Sequence, residues 1–177
     1  MRAQEEYAKA LFLLTEELGI SCAALSDIEL CRMALEENPS YIALADTPAL
    51  AVPVKLSLID EAFAAVTETV RNLLIILCEH HSVYLFPAIA KEYLKLYNEA
   101  RGIIPAEAIT AVALTDEEKA KIVAKLEGIT GKTVILKNTV DESILGGITL
   151  RYSGTQLDGS LRSRLQKLER LLKGAIV

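Results

Sequence analysis

The sequence predicts a mostly helical α+β protein in two parts: an N-terminal six-helix bundle over residues 1–104 and a small C-terminal α/β domain with a β-hairpin over residues 105–177. Three observations lead to this. Apolar residues make up 51% of the chain and aromatics 5%, with no tryptophan, so the core is built from Ala, Leu, Ile and Val, a composition suited to packed helices. Apolar positions recur at helical spacing through the first hundred residues, and the pattern turns to β-branched runs after Arg101-Gly102-Ile103-Ile104-Pro105. The charge divides at the same place: residues 1–104 hold 8 Lys or Arg against 15 Asp or Glu, a net of −7, and residues 105–177 hold 11 against 9, a net of +2.

Taken in order, Tyr7, Leu11, Leu14 and Leu18 form a stripe on one helix face, which Gly19 ends. Ser26 to Leu35 carries Ile28, Cys31 and Leu35 at similar spacing, and Asn38-Pro39-Ser40 closes it. A short helix is expected at Tyr41–Leu44, a further one from Val54 to about Val66 on Ile59, Phe63 and Val66, and another from Glu68 to Glu79. Phe86–Ala100 places Ile89, Tyr93 and Leu96 on one face, and Gly102 closes it.

In the second part Ile109–Leu114 has the character of a strand. Thr115 and Glu118 form a capping box ahead of a helix bearing Ile122, Val123, Leu126 and Ile129, which ends at Gly131. Thr133–Val140 and Ile148–Tyr152 read as strands, and Ser153-Gly154 between Tyr152 and Thr155 signals a hairpin. A last helix follows on Leu161, Leu165, Leu168 and Leu172, capped by Ser160 and basic through Arg162, Arg164, Lys167, Arg170 and Lys173.

Several function classes fall away on chemical grounds. The longest uninterrupted apolar run, Leu73–Cys78, is far short of the roughly 20 residues that cross a bilayer. The N-terminal stretch has acidic residues among its apolar positions, so it does not read as a secretory or transit signal. Three cysteines, Cys22, Cys31 and Cys78, without C-x-x-C spacing argue for buried thiols in a reducing compartment. No stretch joins a dense basic face to stacking aromatics, so nucleic acid is not an expected partner.

Three clusters invite a chemical reading. Gly146-Gly147 suggests a phosphate loop, but a phosphate site uses converging N–H groups at a helix N-terminus, and these glycines lead into a strand. Asp158-Gly159-Ser160 pairs a carboxylate with a hydroxyl, yet the histidines, His80 and His81, lie in the other half, and a turn plus helix cap accounts for all three residues. Cys78, His80 and His81 carry metal-binding side chains without the four ligands of a closed zinc site. The expectation is a noncatalytic protein without metal or cofactor whose apolar faces bind other proteins. A free-standing helical adaptor, and a small enzyme using Asp158 with Ser160 or Cys78 with His81, are the alternative readings.

Asp141, Gly146, Gly147, Leu150, Arg151, Asp158, Gly159, Ser160 and Leu165 together resemble the C-terminal signature of the delta subunit family of bacterial F-type ATP synthase, relatives of the mitochondrial oligomycin sensitivity-conferring protein. Tyr7-Ala8-Lys9-Ala10-Leu11-Phe12 resembles the opening motif of the same family. The chain differs from the family's usual pattern at Ser153, where glycine is usual, and at Gln156, where an apolar residue is usual; its glycine stands at Gly154. The resemblance implies a noncatalytic stator subunit on the cytoplasmic face of the bacterial cell membrane, attached only through its partners. It implies an N-terminal domain that receives the N-terminal segment of an alpha subunit in a groove between the first and fifth helices, lined by Tyr7, Leu11, Leu14 and Ile76. It also implies that the C-terminal domain binds the C-terminal end of the b subunit.

Overall fold

A computed structural model describes residues 3–48, 50–141, 144 and 146–159. The expected last helix, with Ser160 and Leu165, lies outside the described residues. The chain divides into two compact units, Met1–Tyr97 and Asn98–Val177. It is an α+β protein, mostly helical, with seven α-helices and one four-stranded sheet among the described residues.

In the first unit the helices run α1 (Ala3–Glu17), α2 (Ser21–Glu37), α3 (Pro39–Asp46), α4 (Val52–Ala62), α5 (Glu68–Glu79) and α6 (Phe86–Ala100), with a 3-10 turn at Val83–Leu85 before α6. Helix α2 begins five residues ahead of the expected Ser26. Its buried positions are Ser21, Ala24, Ile28, Cys31 and Leu35, an unbroken helical spacing whose first two members are too small to register as a stripe of large apolar residues. Helix α4 stops at Ala62, four residues before the expected end at Val66, although Phe63 and Val66 still reach the core. Proline stands in the first turn of α3 and of α4, where its missing N–H has no intrahelical partner to lose.

The core of this unit joins every helix: Ala8 and Leu11 of α1, Ile28 and Leu35 of α2, Ala45 of α3, Ile59 of α4, Leu74 and Leu77 of α5, and Phe86, Ile89 and Tyr93 of α6. Removing one such Leu or Ile to Ala costs about 2–5 kcal/mol, lost transfer energy plus the cavity left behind. Several polar groups inside it are satisfied across elements. The Tyr93 hydroxyl lies 2.7 Å from Thr15 Oγ1 and 3.2 Å from the Ser21 carbonyl, clasping α6 to α1 and α2. Asp27 of α2 accepts the Thr67 N–H at 2.8 Å at the start of α5, and Asp46 of α3 accepts the N–H groups of Val83 and Tyr84 at the 3-10 turn. These are N-terminal caps supplied from other helices, so the orphan donors of one element fix the position of another.

The second unit holds β1 (Ile103–Thr110), α7 (Asp116–Thr130), β2 (Thr133–Val140), β3 (Ile148–Tyr152) and β4 (Thr155–Asp158) in the sheet order β2-β1-β3-β4. β1 is parallel to β2 through α7 and antiparallel to β3, and β3 is antiparallel to β4. The capping box is present: Thr115 accepts the Glu118 N–H, and Glu118 accepts the Thr115 N–H at 2.9 Å. Leu126 of α7 lies in a core with Ile104, Ala106 and Val134, flanked by Ile122, Val123, Leu136 and Tyr152.

The first strand corrects the expectation. It covers Ile103–Thr110 rather than Ile109–Leu114, and its buried residues alternate as Ile104, Ala106, Ala108 and Thr110. Pro105 hid it, because proline in a central strand ordinarily removes a ladder bond. The bond from the Thr133 N–H to the Gly102 carbonyl fixes the phase, so even-numbered residues of β1 turn their backbone groups toward β2 and odd-numbered ones toward β3. The pairing with β3 starts only at Ala106, one residue further on, and Pro105 forfeits nothing there. The apolar run Ala111–Leu114 instead forms the connection into α7, held by Asn138: its Oδ1 accepts the Leu114 N–H at 2.8 Å and its Nδ2 donates to the Ala108 carbonyl at 3.0 Å.

Candidate functional site

The expected partner groove rests on α1 and α5, which pack against each other. Helix α1 turns Ala8, Leu11 and Thr15 into the core, and α5 turns in Val70, Leu73, Leu74, Leu77 and Cys78. Outside those buried stripes, Leu14 is 45% exposed and Ile76 is 42% exposed, and Leu13 on α1 and Leu18 just past its end are also exposed. Tyr7 is half-buried against the core. Leu11 is a core residue at 5% exposure, so it underlies this face rather than lining it. An exposed Leu is unremarkable alone; here exposed apolar residues stand on two helices that pack against each other. Leu18 belonged to the sequence stripe; Leu13 did not, since it sits off the 3.6-residue period.

A second apolar depression of about 520 Å³ lies between α2, α3 and the end of α4, lined by Leu35, Tyr41, Leu44 and Phe63. Sequence reasoning did not single it out. Its residues come from three elements, and no spacing along the chain brings them together.

In the second unit the signature residues have backbone and sheet roles. Gly146 and Gly147 have φ of 136° and 90°, where an L side chain is strained, and they carry the chain into β3. With Val112, Leu114, Ile122 and Leu150 they line an apolar depression of about 500 Å³ beside α7. Arg151 stands in a row that crosses all four strands in register, Lys137, Glu107, Arg151 and Gln156. The Arg151 guanidinium is 3.7 Å from Glu107 and donates from Nε to Gln156 Oε1 at 3.3 Å, while Thr139 donates to Glu107 at 2.8 Å. Gln156, a departure from the family pattern, thus supplies the acceptor facing Arg151. Between β3 and β4, Ser153 and Gly154 have φ of 47° and 74°, the two positive values of a type I′ turn, so the displaced glycine occupies the second left-handed position. Asp158 is opposite Thr149, whose hydroxyl is 3.5 Å from its carboxylate, and a Cβ on Gly159 would come within 3.1 Å of the Ile148 carbonyl. Asp141 donates its N–H to the Thr110 carbonyl at the end of β2.

The groups considered for chemistry are engaged separately. Cys78 is buried, donates to the Ala45 carbonyl at 3.6 Å, and has its thiol pKa raised first by that burial. His81 Nδ1 is 3.2 Å from Lys55 Nζ. Among the described residues, no three His, Cys, Asp or Glu side chains are grouped as a metal would require. None of the described helices is long and apolar enough to cross a membrane.

A helical unit with exposed apolar side chains is followed by a small mixed sheet whose described signature residues shape backbone and sheet. The family described as ATP synthase delta (OSCP) subunit matches residues 3–172. The ATP synthase subunit delta of a Geobacillus species is 35% identical over 96% of each chain, and that of Flavobacterium johnsoniae is 34% identical over 97% of each. A chain in the mitochondrial ATP synthase hexamer of Toxoplasma gondii has the same fold, with a TM-score of 0.73 at 22% identity over 97% of this chain and 98% of that one. The chain belongs to the ATP synthase delta (OSCP) subunit family, and the reading as a free-standing adaptor falls away.

Proposed function

We propose that the chain is a noncatalytic peripheral-stalk, or stator, subunit of a bacterial proton-translocating F-type ATP synthase, linking the catalytic head to the membrane sector against the torque of the rotor. The family match over residues 3–172 carries this reading. Residues 1–104, as a six-helix bundle, receive the N-terminal helix of an alpha subunit on the α1 and α5 face at Tyr7, Leu14 and Ile76, with Leu11 beneath. The exposed apolar side chains of that face support it. Residues 105–177, with their β-hairpin, hold the C-terminal end of the b subunit, and the apolar depression beside α7 is the candidate surface on the described part of that unit.

The work asked of such a subunit is mechanical, and it needs tight joints rather than bond-breaking groups. A contact that stays closed through rotation calls for nanomolar binding, about −12 kcal/mol. Its partners hold it at the cytoplasmic face of the membrane as a peripheral protein. Tagged chain recovered from detergent-extracted membranes is expected to bring the alpha and b subunits with it. Recovery with small soluble proteins only, never with a membrane-attached ATPase, overturns the proposal.

A further inference from the structure

The depression of about 520 Å³ between α2, α3 and the end of α4 takes no lining residue from α1 or α5. The Tyr41 and Phe63 rings meet there edge to face with centroids 6.1 Å apart, and Leu44 beside them is 42% exposed. Two of the polar groups on the lining are committed to the protein itself: the Tyr41 hydroxyl donates to the Leu58 carbonyl at 3.1 Å, and Asn38 Nδ2 donates to the Ala34 carbonyl at 2.8 Å. The apolar surface continues along α2, where Leu30 and Met33 are exposed. Leu30, Ala34 and Asn38 follow one another turn by turn, a strip about 12 Å long that leads into the depression. We propose that depression and strip form a second docking surface on the helical unit, and that its occupant is an amphipathic helix of a partner protein carrying Lys or Arg beside its apolar stripe.

Charge selects this occupant. Residues 21–62, which hold α2, α3 and α4, contain 2 Lys or Arg against 7 Asp or Glu, a net of −5 out of the −7 carried by residues 1–104. Neither cation is open to a ligand: Arg32 is bound to Glu29 and Glu36 together, and Lys55 is 2% exposed. Asp27 and Asp46 accept backbone N–H groups of other elements, and Asp60 pairs with Arg71 of α5. Glu37 and Glu61 remain exposed with no ion-pair partner among the described residues, and each is next in sequence to a lining residue, Asn38 on α2 and Ala62 on α4.

Unpaired carboxylates on two of the elements that line an apolar depression suit an apolar ligand flanked by cations. An anionic lipid surface or a nucleic acid meets repulsion here, and a polar small molecule finds few groups free to orient it. A basic amphipathic helix satisfies both features. Its apolar residues at i, i+3, i+4 and i+7 cover the strip and enter the depression, a length of about two turns that no single side chain spans, while its Lys or Arg residues face Glu37 and Glu61.

The test titrates the full chain with a synthetic helix about 18 residues long that has Leu at i, i+3, i+4 and i+7 and Lys elsewhere, followed by fluorescence anisotropy, beside the same peptide with Glu for Lys. The Lys peptide is expected to bind at least about tenfold tighter than the Glu peptide. Leu44→Asp and Leu30→Asp are each expected to weaken the Lys peptide at least about fivefold, and Ile76→Asp on α5 to change it less than about twofold. Both Leu variants add a negative charge, so attraction by charge alone would tighten binding; unchanged or tighter binding in both overturns the proposal. A loss confined to Ile76→Asp also overturns it, because the peptide then sits on the α1 and α5 face, and the proposed stator role is left standing. Leu30 is 57% exposed, so Leu30→Asp decides the question if circular dichroism shows that Leu44→Asp does not fold. The natural occupant is read by a photo-cross-linking side chain at position 44 of the full chain in cells: a cross-linked basic amphipathic segment of another protein supports the proposal, and a peptide of this same chain overturns it.

Discussion

Replacing Ile76 by aspartate tests the face on which the proposed stator role depends. Ile76 lies on the outer side of α5 at 42% exposure, while its neighbours Leu77 and Cys78 are buried. Fully burying an isoleucine is worth about 1.5–3 kcal/mol, so covering the exposed 42% contributes about 0.6–1.3 kcal/mol to a bound helix. Aspartate removes that contribution and adds the cost of desolvating a carboxylate against an apolar partner, so the loss should exceed about 1 kcal/mol, a factor of roughly five or more in Kd. Calorimetric titration of a peptide from the alpha subunit N-terminus into wild type and Ile76→Asp measures it, with circular dichroism to verify the fold. Leu14→Asp, at 45% exposure on α1, should fall by a similar factor. Unchanged affinity in both variants with the helices intact refutes the assignment of the face.

Other consequences follow from the packing and the turns. Tyr93→Phe removes the hydroxyl that meets buried Thr15 and the Ser21 carbonyl, and is expected to cost about 1–3 kcal/mol in urea denaturation; a change within error would show the clasp is dispensable. Ser153→Asn places a better left-handed residue in the turn where φ is 47° and should stabilise the second unit by about 0.5–1 kcal/mol, read as a higher melting temperature. Glu118 has its carboxyl held below the usual carboxylate range, chiefly by the Thr115 N–H. Its folded pKa is depressed, so its contribution to α7 is present above the unfolded pKa and is lost as pH falls through the folded one. Glu118→Gln should therefore differ from wild type near neutral pH and converge with it in acid, as followed by denaturation at both. Burial pushes the Cys31 thiol up to about 12 and raises that of Cys78, whereas Cys22 is exposed, so alkylation of the folded protein at pH 8 should label Cys22 alone.

Where local chemistry and burial coincide, the sequence was legible. The capping box at Thr115 and Glu118, the helix over Glu68–Glu79 and the strands Thr133–Val140 and Ile148–Tyr152 stand at the positions read from spacing and turn residues. These signals are local, arising from φ/ψ preference and side-chain periodicity within about ten residues. Small residues were the first weakness: Ser21 and Ala24 hid the opening turn of α2 although both are buried. Pro105 was the second, masking a central strand because the harmlessness of its missing N–H depends on where β3 ends. The candidate face was partly legible for the same reason. The stripe Tyr7, Leu11, Leu14, Leu18 was correct as a periodicity, but which of its members are covered depends on how α1 packs, and that packing takes Leu11 inward with Thr15 while leaving Leu14 out.

The sequence by itself determined the α+β class, a change from helical to mixed structure near residue 105, and a family signature at both ends of the chain. Tertiary structure decided what lies between positions far apart in the chain: the Thr15 to Tyr93 clasp, the caps that Asp27 and Asp46 lend to other elements, the Lys55 to His81 bond, and the Glu107, Arg151, Gln156 row that gives the departure at Gln156 its reason. Hydrophobic periodicity tells a residue which side of its own element is apolar. Only the assembled elements decide which apolar side chains are covered and which buried polar groups find partners, because both depend on surfaces brought together from distant parts of the chain.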